Sequence, residues 1–169
     1  MSRRCLDGLW LASTVAAPGE TLQPSGALGG DVDIQWEGLQ GIQGEVVVVE
    51  DDPTLRELMV EIVQQLNAPC VAFNNADDAL IHMLQPGSEF ALLIADHGVP
   101  GSIQGLELSS MVRSKWPDVG IILTSGYLLE AATLPAGVAY LLKPWAIDDL
   151  VMTIARLVQP ERVLRKKGG

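Results

Sequence analysis

Residues Glu45–Pro53 read EVVVVEDDP. Four consecutive valines with no polar alternation mark a β-strand buried on both faces, since a strand with one wet face would alternate apolar and polar residues. Burial on both faces means helices on both sides, and therefore a parallel sheet built from strand–helix–strand crossovers. The valines run straight into Glu50, Asp51 and Asp52. Core packing does not ask for three like charges at the end of its most apolar strand, so the triplet asks for a chemical explanation.

Outward from this strand the same alternation continues. Short apolar runs at Cys70–Phe73, Phe90–Ala95, Val119–Leu123 and Val138–Leu142 join Glu45–Val49 as strand candidates, making five. Between them, Pro53–Leu66 places Leu55, Leu58, Met59, Ile62 and Leu66 on one helical face, with Pro53 suited to a first turn. Ala76, Ala79, Leu80, Met83 and Leu84 repeat that spacing, as do Ile147, Leu150, Val151, Ile154, Leu157 and Val158. Leu108, Met111 and Val112 support a helix near Gln104–Lys115, and a short fourth helix is expected at Tyr127–Leu134, ending before Pro135. The fold class is α/β, with about five helices around a five-stranded parallel sheet.

The chain has 169 residues, 48% of them apolar, enough for one domain with a real core plus an appendage. Residues 44–158 form the regular domain. Residues 1–43 read as an extension or linker, poorly ordered, because glycine and proline are frequent from Gly19 to Gly44 and apolar periodicity is absent. Residues 159–169 read as a basic, solvated tail. A net charge of -10 argues against a phosphate-neutralising stripe, so no direct nucleic-acid contact is expected. No apolar run approaches the roughly 20 residues of a membrane span. Arg3-Arg4 followed by an apolar stretch superficially suggests an export signal, but Asp7 and Gly8 interrupt it. Cys5 and Cys70 form neither a metal-ligand spacing nor a disulfide framework, which suits a reducing cytoplasm.

In such a sheet, ligands bind at the carboxyl ends of the strands. The residues delivered there are Glu50, Asp51 and Asp52 after the first strand, Asp96 after the third, Thr124 and Ser125 after the fourth, and Lys143 with Pro144 after the fifth. Carboxylates gathered this closely repel unless a cation offsets them, and a hard ion such as Mg²⁺ takes a few carboxylates together with a phosphate. A metal, a lysine and a hydroxyl around one aspartate stabilise charge on a phosphoryl group passing to that aspartate.

VVVVEDDP, LLIADHGVPG, IILTSGY and YLLKPW, in this order, resemble the four signatures of the receiver domain of two-component response regulators, over residues 44–158. The resemblance implies a flavodoxin-like three-layer sandwich with strand order 2-1-3-4-5. It implies that Asp96 is the phospho-acceptor, that Glu50 and Asp51 hold Mg²⁺ with Asp96 and the backbone carbonyl of Gly98, and that Thr124 and Lys143 bind phosphoryl oxygens. Tyr140 stands where receivers place an aromatic switch residue that follows the threonine, and half-buried packing is an equally good reading of it. The implied phosphodonor is a histidine kinase or histidine phosphotransfer protein. The chain is then a signalling phospho-acceptor and not an enzyme, with an unidentified downstream protein partner and a possible phosphorylation-dependent dimer.

Other residues have plainer readings. Asp52 before Pro53 suits a helix N-cap better than a metal. His97 is expected to lie exposed beside the site, His82 on a helix surface, and Trp145 and Ile147 beside Tyr140. PGSIQG carries one residue more than the shortest receiver pattern, as in receivers of hybrid kinases. Gly98 and Gly126 offer no side chain to attacking water, so phosphoryl lifetime is not legible. The eleven residues after Val158 leave no room for an output domain, so output is expected through protein contact. DGLWLASTVAAPGET loosely resembles the end of a histidine kinase ATP-binding domain, and an unstructured leader is the alternative. Three functions stay open: a signalling phospho-acceptor, a hybrid-kinase receiver serving as phosphate shuttle or sink, and a binding module that is not phosphorylated.

Overall fold

The computed structural model describes residues 3–6, 9–10, 36–162 and 165–166. Its strands and helices, in chain order, are β1 (Arg3–Leu6), β2 (Leu9–Trp10), β3 (Trp36–Glu37), β4 (Glu45–Val49), α1 (Pro53–Gln65), β5 (Cys70–Phe73), α2 (Ala76–Met83), β6 (Phe90–Asp96), α3 (Gly105–Lys115), β7 (Gly120–Ser125), β8 (Ala139–Leu142), α4 (Ile147–Val158) and β9 (Arg165–Lys166).

The valine strand β4 lies inside the sheet, paired in parallel with β5 on one side and β6 on the other. Val46 to Val49 are all fully buried, and the pleat sends them alternately to two cores. Val46 and Val48 join Met59, Ile62 and Val63 of α1 and Leu150, Val151 and Ile154 of α4. Val47 and Val49 join Ala76, Ala79 and Met83 of α2 and Leu108 and Val112 of α3. β6 and β7 divide the same way: Leu92, Ile94 and Ile122 face the first core, Leu93, Ala95 and Ile121 the second. Burying each of the valine, leucine, isoleucine and methionine side chains among these stabilises the fold by roughly 1.5–3 kcal/mol.

The five parallel strands run β5-β4-β6-β7-β8, which is the order 2-1-3-4-5. β1 extends this sheet by pairing antiparallel with β5, and β2 pairs with β1. Two short segments of the stretch read as a linker thus add strands to the β5 edge. Of the rest of that stretch, residues 1–2, 7–8 and 11–35 lie outside the described residues, and so does most of the kinase-like segment.

β3 pairs antiparallel with β9. Gln40 N donates to Gln159 Oε1 at 3.3 Å, and Gln159 Nε2 returns a bond to the Gln40 carbonyl at 2.8 Å. Trp36, Leu39 and Ile42 pack on the first core. The segments leading into β4 and out of α4 are therefore clasped together at the amino ends of the parallel strands. Among the described residues, no helix is long and apolar enough to cross a membrane.

Two expectations need correction. The helix expected at Tyr127–Leu134 does not form, and a single 3-10 turn at Ala131–Thr133 stands in its place. Tyr127 and Leu128 are 75% and 82% exposed. A segment this short cannot offset the cost of helix nucleation without burying an apolar face, and Pro135 bars extension. His82 is not a solvated helix residue: its Nε2 meets Glu45 Oε2 at 2.6 Å, and its ring packs against Phe73 at a centroid distance of 5.4 Å. Trp145 and Ile147 pack against the first core.

Candidate functional site

Four strand ends converge at one edge of the sheet. β4 delivers Glu50, β6 delivers Asp96, β7 delivers Thr124, and the turn after β8 delivers Lys143, whose bond to Pro144 is cis. Glu50 is 1% exposed, Asp96 6% and Thr124 fully buried. Burying charge is costly unless it is paired and hydrogen-bonded, and here every carboxylate oxygen of Glu50 and Asp96 has a partner.

Lys143 Nζ bridges the two acids. It donates to Glu50 Oε2 at 2.8 Å and lies 2.8 Å from Asp96 Oδ1. Glu50 Oε1 accepts from the backbone N–H of Asp52 at 3.1 Å. Asp96 Oδ2 accepts from the N–H of Gly98 at 3.2 Å, and the Thr124 hydroxyl donates to Asp96 Oδ1 at 3.4 Å. The strand ends are themselves tied: His97 N donates to the Thr124 carbonyl and Lys143 N to the Ser125 carbonyl.

Burial pushes the Glu50 carboxyl above its ordinary pKa; the Asp96 charge adds to this, and the hydrogen bond from Lys143 opposes it. For Lys143, burial works to lower the pKa, but the hydrogen bonds to Asp96 and Glu50 outweigh it and hold the ammonium above its ordinary value. At neutral pH the lysine is a fixed cation between two acids.

Glu50, Asp51 and Asp96 each place a carboxylate oxygen within 4.8 Å of the others. Asp51 is exposed, so this trio opens to solvent on one side. The donor set is all oxygen and all anionic, and it fits a hard divalent ion such as Mg²⁺.

Asp52 parts company with its neighbours. It is the N-cap of α1, its Oδ1 accepting from Leu55 N at 2.8 Å, with Pro53 in the first turn. Asp52→Ala is expected to cost about 1 kcal/mol of unfolding free energy in a urea titration while leaving divalent-cation affinity unchanged. An affinity loss in that variant would return Asp52 to the metal.

Of the remaining sequence candidates, Tyr140 is half-buried on β8, and its hydroxyl donates to the Tyr127 carbonyl. His97 is half-buried, not exposed. Three contributors escaped sequence reasoning. Arg56 Nη1 donates to the carbonyls of Glu50 at 2.7 Å and Asp51 at 3.1 Å, fixing the acidic turn from one helical turn downstream. Asp77 bonds the loop after β6, and Gly105 packs against the backbone of Asp96. An i, i+6 pairing and cross-element contacts leave no local sequence signal.

Residues 46–155 match the family model of the response regulator receiver domain. The chain is 30% identical over 125 residues to the hydrogenase transcriptional regulatory protein HoxA of Cupriavidus necator, covering 70% of this chain and 25% of that protein. It is 30% identical over 116 residues to the response regulator protein FleR of Pseudomonas aeruginosa, covering 66% and 24% respectively. The chain therefore spans about a quarter of the length of these relatives. Among solved structures, the response regulator TrrA of Thermotoga maritima in complex with Mg²⁺–BeF is similar with a TM-score of 0.58 and 28% identity, over 68% of this chain and 99% of that one.

Proposed function

Because the chain belongs to the response regulator receiver domain family over residues 46–155, we propose that it is a phospho-accepting receiver of a cytoplasmic two-component phosphorelay, with Asp96 as acceptor. The observation that carries this reading is the pair of buried acids bridged at 2.8 Å by one lysine, with a threonine hydroxyl on the same aspartate oxygen. A structural ion pair needs one acid per cation; the surplus negative charge suits a site completed by a metal and a phosphoryl group.

In the reaction, an Asp96 carboxylate oxygen attacks the phosphorus of a phosphohistidine on a histidine kinase or phosphotransfer protein. The P–O bond forms, the P–N bond breaks, and the imidazole leaves as a neutral ring after taking a proton. Lys143 and Thr124, both bonded to Asp96 Oδ1, would contact the phosphoryl oxygens, so their bonds to Asp96 would pass to the new group. Mg²⁺ held by Glu50, Asp51, Asp96 and the Gly98 carbonyl would offset the combined charge of carboxylates and phosphate. Repositioning of Thr124, with Tyr140 as its follower on β8, would shift the balance of two surface states that a protein partner or a second copy reads.

Mass spectrometry after incubation with Mg²⁺ and acetyl phosphate tests the reading. One phosphoryl group is expected on the wild type and none on Asp96→Asn. A wild type that gains no adduct and binds no Mg²⁺ would instead be a receiver-like binding module. With an adduct in hand, phosphorylation-dependent capture of a partner separates a signaller from a phosphate shuttle or sink.

A further inference from the structure

We infer that Asp77 is a positioning residue for the acidic site: from the first turn of α2, its carboxylate holds the tip of the loop that follows Asp96. This rests on the receiver reading above and assigns the site a component from an element that carries none of its signatures.

The loop of residues 97–104 joins β6 to α3. Its base is closed by Gly105 N donating to the His97 carbonyl at 3.2 Å. Its middle is anchored by Val99, 3% exposed in the second core. Ile103 packs against that core as well, but the N–H groups of Ser102 and Ile103 have no acceptor within the loop. Instead, Asp77 Oδ2 accepts from Ser102 N at 2.9 Å and from Ile103 N at 3.3 Å.

Gly101 records how close the approach is. Its φ is +114°, and a Cβ there would lie 2.2 Å from Asp77 Oδ2. Any larger residue would push the carboxylate off the loop, and left-handed backbone already disfavours one. Gly98, the position expected to offer a carbonyl to Mg²⁺, lies on the same loop with its N–H bonded to Asp96 Oδ2, and the grip of Asp77 on the far side of Val99 completes the fixing of that loop.

Stability alone does not account for the contact. The bond to Ser102 N is exposed and the one to Ile103 N is part-buried, so water can replace the carboxylate at the first and reach the second, at modest cost to folding. What water cannot supply is a fixed position. A negative charge at a helix N-terminus also interacts favourably with the helix dipole, and that role needs the charge, whereas holding two N–H groups needs only an acceptor oxygen. Asparagine keeps the oxygen and loses the charge.

Calorimetric titration of the full chain with MgCl₂, together with amide hydrogen exchange, tests this on wild type, Asp77→Ala and Asp77→Asn. Asp77→Ala is expected to weaken Mg²⁺ binding about tenfold, as loss of a group supporting metal ligands commonly does. Its Ser102 and Ile103 amides should exchange faster while its urea midpoint barely moves, and Asp77→Asn should recover most of the affinity. Wild-type affinity in Asp77→Ala, or an Asp77→Asn variant as weak as Asp77→Ala, would overturn the inference while leaving the receiver reading intact. A wild-type chain that takes up no Mg²⁺ would sink the receiver reading, and this inference with it.

Discussion

Lys143→Met is expected to lower the unfolding free energy by about 3 kcal/mol, the cost of removing one partner from a buried ionic group, or roughly 10 °C in melting temperature. Glu50 and Asp96 are almost wholly buried and share this one ammonium. Without it, two like charges face each other in low dielectric. Two accompanying measurements distinguish that cause from lost packing. Saturating Mg²⁺ should close much of the gap, because a second cation takes over the duty of the first. The gap should also narrow on acidification.

The pH effect follows from the sign of the Glu50 shift. Its folded pKa is raised, first by burial, so between the ordinary glutamate pKa and the elevated one the folded state binds more proton than the unfolded chain. The penalty for burying Glu50 is therefore absent below the ordinary glutamate pKa and grows as pH rises through the elevated one. Removing Lys143 deletes the interaction that pulls this pKa down, widening the window. Lys143, with its own pKa raised, contributes fully below the ordinary lysine value and loses its contribution only as pH climbs through the elevated one. A deficit that stays constant from neutral to acidic pH, and that Mg²⁺ does not reduce, would show that the lysine acts through its alkyl stem.

Gly105→Ala is expected to cost about 3 kcal/mol, at the upper end for forcing one extra carbon into a packed interior, and to slow adduct formation on Asp96 about a hundredfold, as a displacement near 1 Å can do. A Cβ at Gly105 would lie 2.0 Å from the carbonyl oxygen of Asp96, 2.7 Å from its carbonyl carbon and 3.0 Å from His97 Cα. All three atoms are backbone, so no side chain can swing aside. Either α3 withdraws from β6 or the end of β6 moves, and the second shifts Asp96 against Lys143. Urea unfolding and the time course of acetyl phosphate labelling measure the two effects. A variant that unfolds and labels like the wild type would show that the start of α3 yields without strain.

The valine run disclosed its strand because burial on both faces writes itself into four adjacent residues, and the pleat then shares them between two cores. Glu50, Asp96, Thr124 and Lys143 were legible because each stands at the end of such a strand, where topology alone brings them together. Asp52 was legible as a cap because capping is local chemistry with Pro53 as its neighbour. Tyr127–Leu134 misled because a short segment before a proline reads as one more crossover helix, while the fold leaves most of it exposed and buries no continuous apolar face to sustain one. β1, β9, the His82–Glu45 pair and the grip of Asp77 on the loop depend on partners from 25 to over 100 residues away. Periodicity carries no trace of such pairings.

The clasp between Trp36–Glu37 and Arg165–Lys166, braced by Gln40 and Gln159, makes the domain a plug with both leads at one pole. Such a unit can be spliced into a surface loop of another polypeptide without prising the loop's ends apart. The acidic edge, at the opposite ends of the same strands, would then point away from the host and stay open to visitors.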